Sequence, residues 1–257
     1  MCHSDDSRPP APPVSGGIGE RADIRLTSSD GTGFQAHTAR PETPNGRGVV
    51  ILPDVRGLHA FYRELAAQFA DAGFEAVAID YFGRTAETDD RDESFDFMPH
   101  VHKTTPEGVA ADVRAGVDHL RGLAEPPAAI FTVGFCFGGS ASWRQAAHGH
   151  GIAGAIGFYG GAPLERVGPW IPDLAAPLLM LLAGVDNTTP EEFAEFAGRA
   201  RATGIEVESH TYPDAPHSFF DRSFDDHQAA CADAWQRILE FTERHSASPK
   251  LGFSTRA

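Results

Sequence analysis

Short apolar runs alternate with amphipathic stretches along most of this chain, and no other feature limits its fold as strongly. Val49-Val50-Ile51-Leu52 is a continuous apolar run of strand length, the pattern of a strand covered on both faces. Phe61, Leu65, Phe69 and Ala72 then recur at helical spacing, with Gly73 placed to stop the helix. Ala76 to Ile79, Ile130 to Val133, Ala155 to Phe158 and Leu178 to Leu182 repeat the strand signature. Val207 to Tyr212 alternates apolar with polar, as in a strand with one wetter face. Helices are expected between them. One starts at Thr105-Pro106-Glu107 with a stripe of Val109, Val113, Val117 and Leu120. Others start near Phe137 and at the capping box Thr189-Pro190-Glu191-Glu192, and a last one carries Trp235, Ile238 and Leu239. Repeated strand-then-helix order predicts an α/β protein with a mostly parallel central sheet and helices on both faces.

A chain of 257 residues can enclose one such core. Residues 1–19, rich in Pro, Gly, Ser and Asp, are expected to form a flexible tail. Residues 246–257 have the same character, which leaves 20–245 as a single domain. No apolar run suits a bilayer span or a secretory signal, so the expected location is cytoplasmic. A formal charge of −15 argues against nucleic acid and anionic membranes as partners. With no obvious interface stripe, a monomer is the expectation. Cys2, Cys136 and Cys231 are too few and too scattered for a disulfide framework or a metal site.

In an open α/β sheet, reactive groups collect beyond the carboxyl ends of the strands. Asp54, Cys136, Asp186 and His217 all follow expected strands. Cys136 lies in Gly134-Phe135-Cys136-Phe137-Gly138-Gly139, a glycine-flanked elbow between strand and helix with sulfur where a serine hydroxyl is commoner. A thiol at a helix N-terminus is favoured as thiolate. It needs a base, and the base an orienting acid. The elbow fold takes these in the order nucleophile, acid, histidine, which selects Asp186 and then His217. The bland alternatives are a buried core cysteine, a loop carboxylate and a solvated histidine. Cys231, one turn from Trp235, reads as core.

These segments resemble the dienelactone hydrolases: the Gly-Phe-Cys-Phe-Gly-Gly elbow, Gly184-Val185-Asp186, and Ala215-Pro216-His217-Ser218-Phe219. The resemblance extends over roughly residues 22–245. It implies an α/β-hydrolase fold and a hydrolase cleaving a small carboxylic ester or lactone through an acyl-thioester, without metal or organic cofactor. It also implies an accessory carboxylate, Asp54 of Pro53-Asp54-Val55-Arg56-Gly57, where the best-known member of the family has glutamate. The oxyanion hole would be the backbone N–H groups of Val55 and Phe137. Arg84 and Arg222 would hold a carboxylate of the substrate, with an ordinary surface charge as the alternative for each, and Tyr159 would stand near the site, with a core aromatic as an equally good reading. The stretch Glu87 to His102 departs most from the family pattern; its length suggests a lid, and a solvated insertion is the alternative. Two rival functions keep the same fold. One is a thioesterase or acyltransferase, the other a non-catalytic ligand-binding or redox-sensing homologue.

Overall fold

The computed structural model describes residues 5–221 and 224–246. Eight strands form one sheet: β1 (Ile18–Thr27), β2 (Gly33–Pro41), β3 (Arg47–Leu52), β4 (Glu75–Ile79), β5 (Ala129–Phe135), β6 (Gly154–Phe158), β7 (Leu178–Val185) and β8 (Val207–Pro216), in the order β1-β2-β4-β3-β5-β6-β7-β8. Strands β4, β3, β5, β6, β7 and β8 pair in parallel, whereas β2 runs antiparallel to both of its neighbours. The mostly parallel sheet is therefore as expected. The β1–β2 ribbon is an addition that the apolar pattern does not announce, because β1 is charged along much of its length and largely exposed.

Helices α1 (Ala60–Asp71) and α7 (Gln228–Ser246) cover one face, where Phe61, Leu65, Phe69, Trp235 and Ile238 are fully buried. The other face holds α3 (Pro106–Arg121), α4 (Phe137–Gln145) and α6 (Pro190–Ala202), with Val113, Val117, Trp143 and Phe196 buried. The short helices α2 (Met98–Val101) and α5 (Leu164–Val167) lie in connections. Local signals act where the sequence places them. Thr105 Oγ1 accepts from Gly108 N at 3.1 Å, Thr189 and Glu192 form a reciprocal capping box, and Gly73 turns the chain out of α1 at φ +91°.

From β3 the chain steps one way to β4 and the other way to β5. That reversal opens a crevice at the carboxyl ends of β3 and β5, the position at which open α/β sheets bind ligands. Leu52-Pro53-Asp54 and Phe135-Cys136 end at it.

The expected flexible tail does not describe residues 5–17. Asp5 Oδ1 lies 2.7 Å from His59 Nε2, Trp235 Nε1 donates to Pro10 O at 3.0 Å, and the Ser15 hydroxyl donates to Asp71 at 2.7 Å. Pro9 and Pro10 are buried. Hydrogen bonds and two proline rings hold a segment in which hydropathy registers nothing, and β1 begins inside the supposed tail. Ser246, where the expected C-terminal tail of 246–257 starts, still belongs to α7, and Cys2 and the rest of that tail, residues 247–257, lie outside the described residues.

Candidate active site

β5 passes into α4 through one residue, Cys136, at φ +54° and ψ −114°. A non-glycine residue held there is strained by about 1–3 kcal/mol, and its neighbours supply the restraint. Cys136 N donates to Phe158 O on β6 at 3.1 Å, and Cys136 O accepts from Gly139 N at 2.9 Å. The flanking glycines are steric necessities. A β-carbon on Gly134 would overlap Gly138 O, and one on Gly138 would stand 2.2 Å from both Leu52 O and Pro53 O. The first turn of α4 thus presses directly on the end of β3, which brings the Phe137 and Val55 peptides to the same crevice.

His217 and Asp186 end the neighbouring strands β8 and β7. His217 N donates to Val185 O at 3.1 Å, and Gly184 lets the two strand ends close up, since a β-carbon there would meet Pro213 O. His217 Nδ1 then lies 2.9 Å from Asp186 Oδ2, while Asn187 N donates to the other carboxylate oxygen at 2.6 Å. Burial pushes the His217 imidazole down, but the Asp186 carboxylate and the Cys136 sulfur, both within hydrogen-bonding reach, outweigh it and raise the pKa to about 10. Cys136 and His217, 81 positions apart in the chain, are brought together with Asp186.

Asp54 is fully buried at the end of β3. Its Oδ1 accepts from Arg56 N at 2.9 Å, and its own N–H donates to the Tyr62 hydroxyl at 3.0 Å. The Tyr81 hydroxyl, donating to Pro53 O at 2.8 Å, feels the charge of both Asp54 and Cys136, and burial first and these acids second hold its proton.

Two residues expected at or near the substrate take partners within the protein. Arg84 turns to Asp30, to Thr32 Oγ1 at 2.9 Å and to Asp112 Oδ1 at 2.7 Å. Two carboxylates, one of them buried, hold its guanidinium between α3 and the β1–β2 turn, so Arg84 ties these elements together. Tyr159 is 1% exposed at φ +36°, and its hydroxyl donates to the buried Asp221 Oδ2 at 3.1 Å. Its ring packs 4.9 Å from the His217 ring, so it stands beside the histidine as a buried aromatic, the alternative that the sequence leaves open. Arg222 lies outside the described residues.

The acidic stretch Glu87 to His102 is anchored by its one arginine. Arg91 makes a bidentate pair with Asp80 at 3.1 and 2.8 Å, both side chains 1% exposed, and its guanidinium lies 4.4 Å over Phe95. Asp80 also accepts from Leu58 N, in the segment just after Asp54, so this stretch rests on the rim of the crevice. Neither Asp80–Arg91 nor Asp221 was singled out from sequence. Their acids are ordinary in composition, and each finds its partner only across the fold. Cys231 is core: 2% exposed, its thiol faces Phe219 O at 3.4 Å, and burial pushes its pKa up to about 12. Among the described residues the only grouping of three possible metal ligands is Glu206, Glu208 and His245, at the opposite end of the sheet from Cys136, where Glu208 already pairs with Arg244.

The profile of the dienelactone hydrolase family matches residues 34–246. The chain belongs to the dienelactone hydrolase family. A carboxymethylenebutenolidase of Rhodococcus opacus is 29% identical over 259 residues, covering 95% of this chain and 97% of the relative. That of Pseudomonas putida is 28% identical over 224 residues, covering 85% and 94%. Among solved structures, a "Putative Dienelactone Hydrolase" from Klebsiella pneumoniae superposes with a TM-score of 0.74 at 26% identity, covering 88% of this chain and all of the other. Family membership makes this chain a dienelactone hydrolase-like hydrolase on the α/β-hydrolase fold. No helix among the described residues is long and apolar enough to cross a membrane.

Proposed function

We propose that the chain hydrolyses a small carboxylic ester or lactone with Cys136 as nucleophile, His217 as base and acid, and Asp186 as the group that orients it. One observation carries the reading: a cysteine strained into a strand-to-helix elbow beside an imidazole whose far nitrogen is 2.9 Å from a carboxylate. The relatives' name, carboxymethylenebutenolidase, supports the lactone or ester class.

In this mechanism the Cys136 thiolate, paired with protonated His217, adds to the carbonyl carbon. Negative charge moves to the carbonyl oxygen, where the N–H groups of Val55 and Phe137 receive it. Such donors are each worth about 3 kcal/mol in related chemistry. As the carbonyl re-forms, the C–O bond breaks and His217 gives its proton to the leaving oxygen, producing an acyl-thioester. Neutral His217 then takes a proton from water, the hydroxide adds to the thioester, and the C–S bond breaks. The acid departs and the thiolate–imidazolium pair is restored. Asp186 holds the tautomer that keeps the other imidazole nitrogen toward sulfur. Asp54, buried beside the crevice, acts as an accessory carboxylate.

The test is turnover of p-nitrophenyl acetate and a panel of lactones by wild type and Cys136→Ala. We expect wild type to hydrolyse at least one class, Cys136→Ala to lose turnover, and mass spectrometry of quenched wild type to find the acyl group on Cys136. Full turnover by folded Cys136→Ala would reject the assignment.

A further inference from the structure

A cavity of about 330 Å³ runs along the outer face of α4. Phe137, Ser140, Arg144, Thr105, Trp170 and Arg166 are among the residues that line it. Phe137 follows Cys136 directly, and Arg144 lies seven residues further, about 10 Å down the helix. Arg166 reaches over the connection after β6. Its Nη2 is 3.4 Å from where a β-carbon on Gly161 would be, and that same point lies 3.9 Å from Thr188 in the loop that follows Asp186. The cavity therefore reaches Phe137, the residue next to the elbow, and carries two guanidinium groups on its wall, while Cys136, Asp186 and His217 are not among the residues that line it.

Those two groups are unusual in this chain. With 36 acidic against 21 basic residues, most arginines are held by carboxylates, as Arg40, Arg84, Arg91 and Arg237 are. Among the described residues neither Arg144 nor Arg166 has a side-chain acceptor, and Arg144 Nε is buried without one. Two cations left unmatched at the edge of a half-apolar cavity favour an anion that brings its own hydrophobic stem.

We propose that this cavity is a subsite for the remote end of the substrate, taking an anionic group on a chain that leads away from the scissile carbonyl and pairing it with Arg144 and Arg166. It rests on the ester-hydrolase reading and names a substrate class: esters whose acyl chain ends in a distant carboxylate, in contrast to a compact lactone whose carboxylate adjoins the ring. Ser140, Thr105 and Trp170 line the path of the chain.

The experiment compares kcat/KM for p-nitrophenyl octanoate and mono-p-nitrophenyl suberate, which differ in the terminal group, and measures binding of free suberate by calorimetry. Wild type should favour the suberyl ester by about tenfold or more, mainly through KM. Arg144→Gln with Arg166→Gln should bring that ratio to about one and abolish suberate binding, and the paired lysine variants should retain a preference. Hydrolysis of both esters at equal efficiency by wild type, or an unchanged ratio and unchanged suberate binding in the double glutamine variant, overturns the subsite. Suberate binding that requires both arginines in a protein inactive on every ester upholds the anion subsite while the hydrolase reading fails.

Discussion

Replacing Gly138 by alanine tests whether the start of α4 must bear on the end of β3. The new methyl would stand 2.2 Å from Leu52 O and from Pro53 O, where a β-carbon does not come within 3.0 Å. Both obstacles are backbone carbonyls, so no side chain can rotate away, and the elbow must move off the strand end by close to an ångström. Overpacking of this size costs about 1–3 kcal/mol. At this chain length each kcal/mol lowers Tm by roughly 2–4 °C, which leaves the protein folded at room temperature. The displacement separates Phe137 N–H and the Cys136 sulfur, on one side of the contact, from Val55 N–H on the other. A misplacement of about 1 Å at reacting groups costs on the order of a hundredfold in rate. Steady-state hydrolysis of p-nitrophenyl acetate, with near-ultraviolet circular dichroism as the check on folding, should show kcat down about a hundredfold and KM changed far less. Phe137→Leu, which alters a side chain but keeps its N–H, should lose much less. Wild-type kcat in a folded Gly138→Ala protein would refute the idea that these two backbone segments act on one oxyanion.

Asp186→Asn removes the carboxylate that holds the His217 proton, so the alkaline limb of activity should move below the pH of about 10 at which His217 titrates. Because His217 is raised above its ordinary 6.5, its pairing stabilises the fold fully below pH 6.5 and loses that effect as pH rises through about 10. The stability gap between wild type and Asp186→Asn in urea unfolding, about 1–2 kcal/mol for an imidazole one-third exposed, should therefore narrow across that window; a gap that widens contradicts the pairing. Limited iodoacetamide followed by peptide mapping should mark Cys136 ahead of Cys231, whose thiol is buried and pushed up to about 12, and the reverse order would count against an activated sulfur at the elbow. Arg91→Met leaves Asp80 buried without its cation and should cost about 3–5 kcal/mol in urea unfolding, with Asp80→Asn added to it restoring part. A loss under about 1 kcal/mol would show that the pair contributes little to holding the 87–102 segment.

Sequence alone determined what depends on near neighbours. Strands β3 to β7 are legible because a buried parallel strand is a continuous apolar run, β8 because its apolar and polar residues alternate, and α1, α3 and α6 because stripe and cap lie within a few residues of each other. The elbow is legible too, since Gly134, Cys136 and Gly138 state a steric requirement two positions apart. The β1–β2 ribbon escaped because its charged alternation gains little from burial. Residues 5–17 escaped because hydrogen bonds to Asp71 and His59 hold them, and hydropathy does not register such bonds.

Tertiary structure alone decided which partner each charged or hydroxyl group takes. Arg84 has Asp30 and Asp112 within reach because β1, β2 and α3 converge on it, and Tyr159 meets Asp221 because a residue at φ +36° turns its ring inward. The energy of an ion pair or buried hydrogen bond is set by separation in space and by access of water, and residues tens of positions apart acquire both only when the sheet has closed.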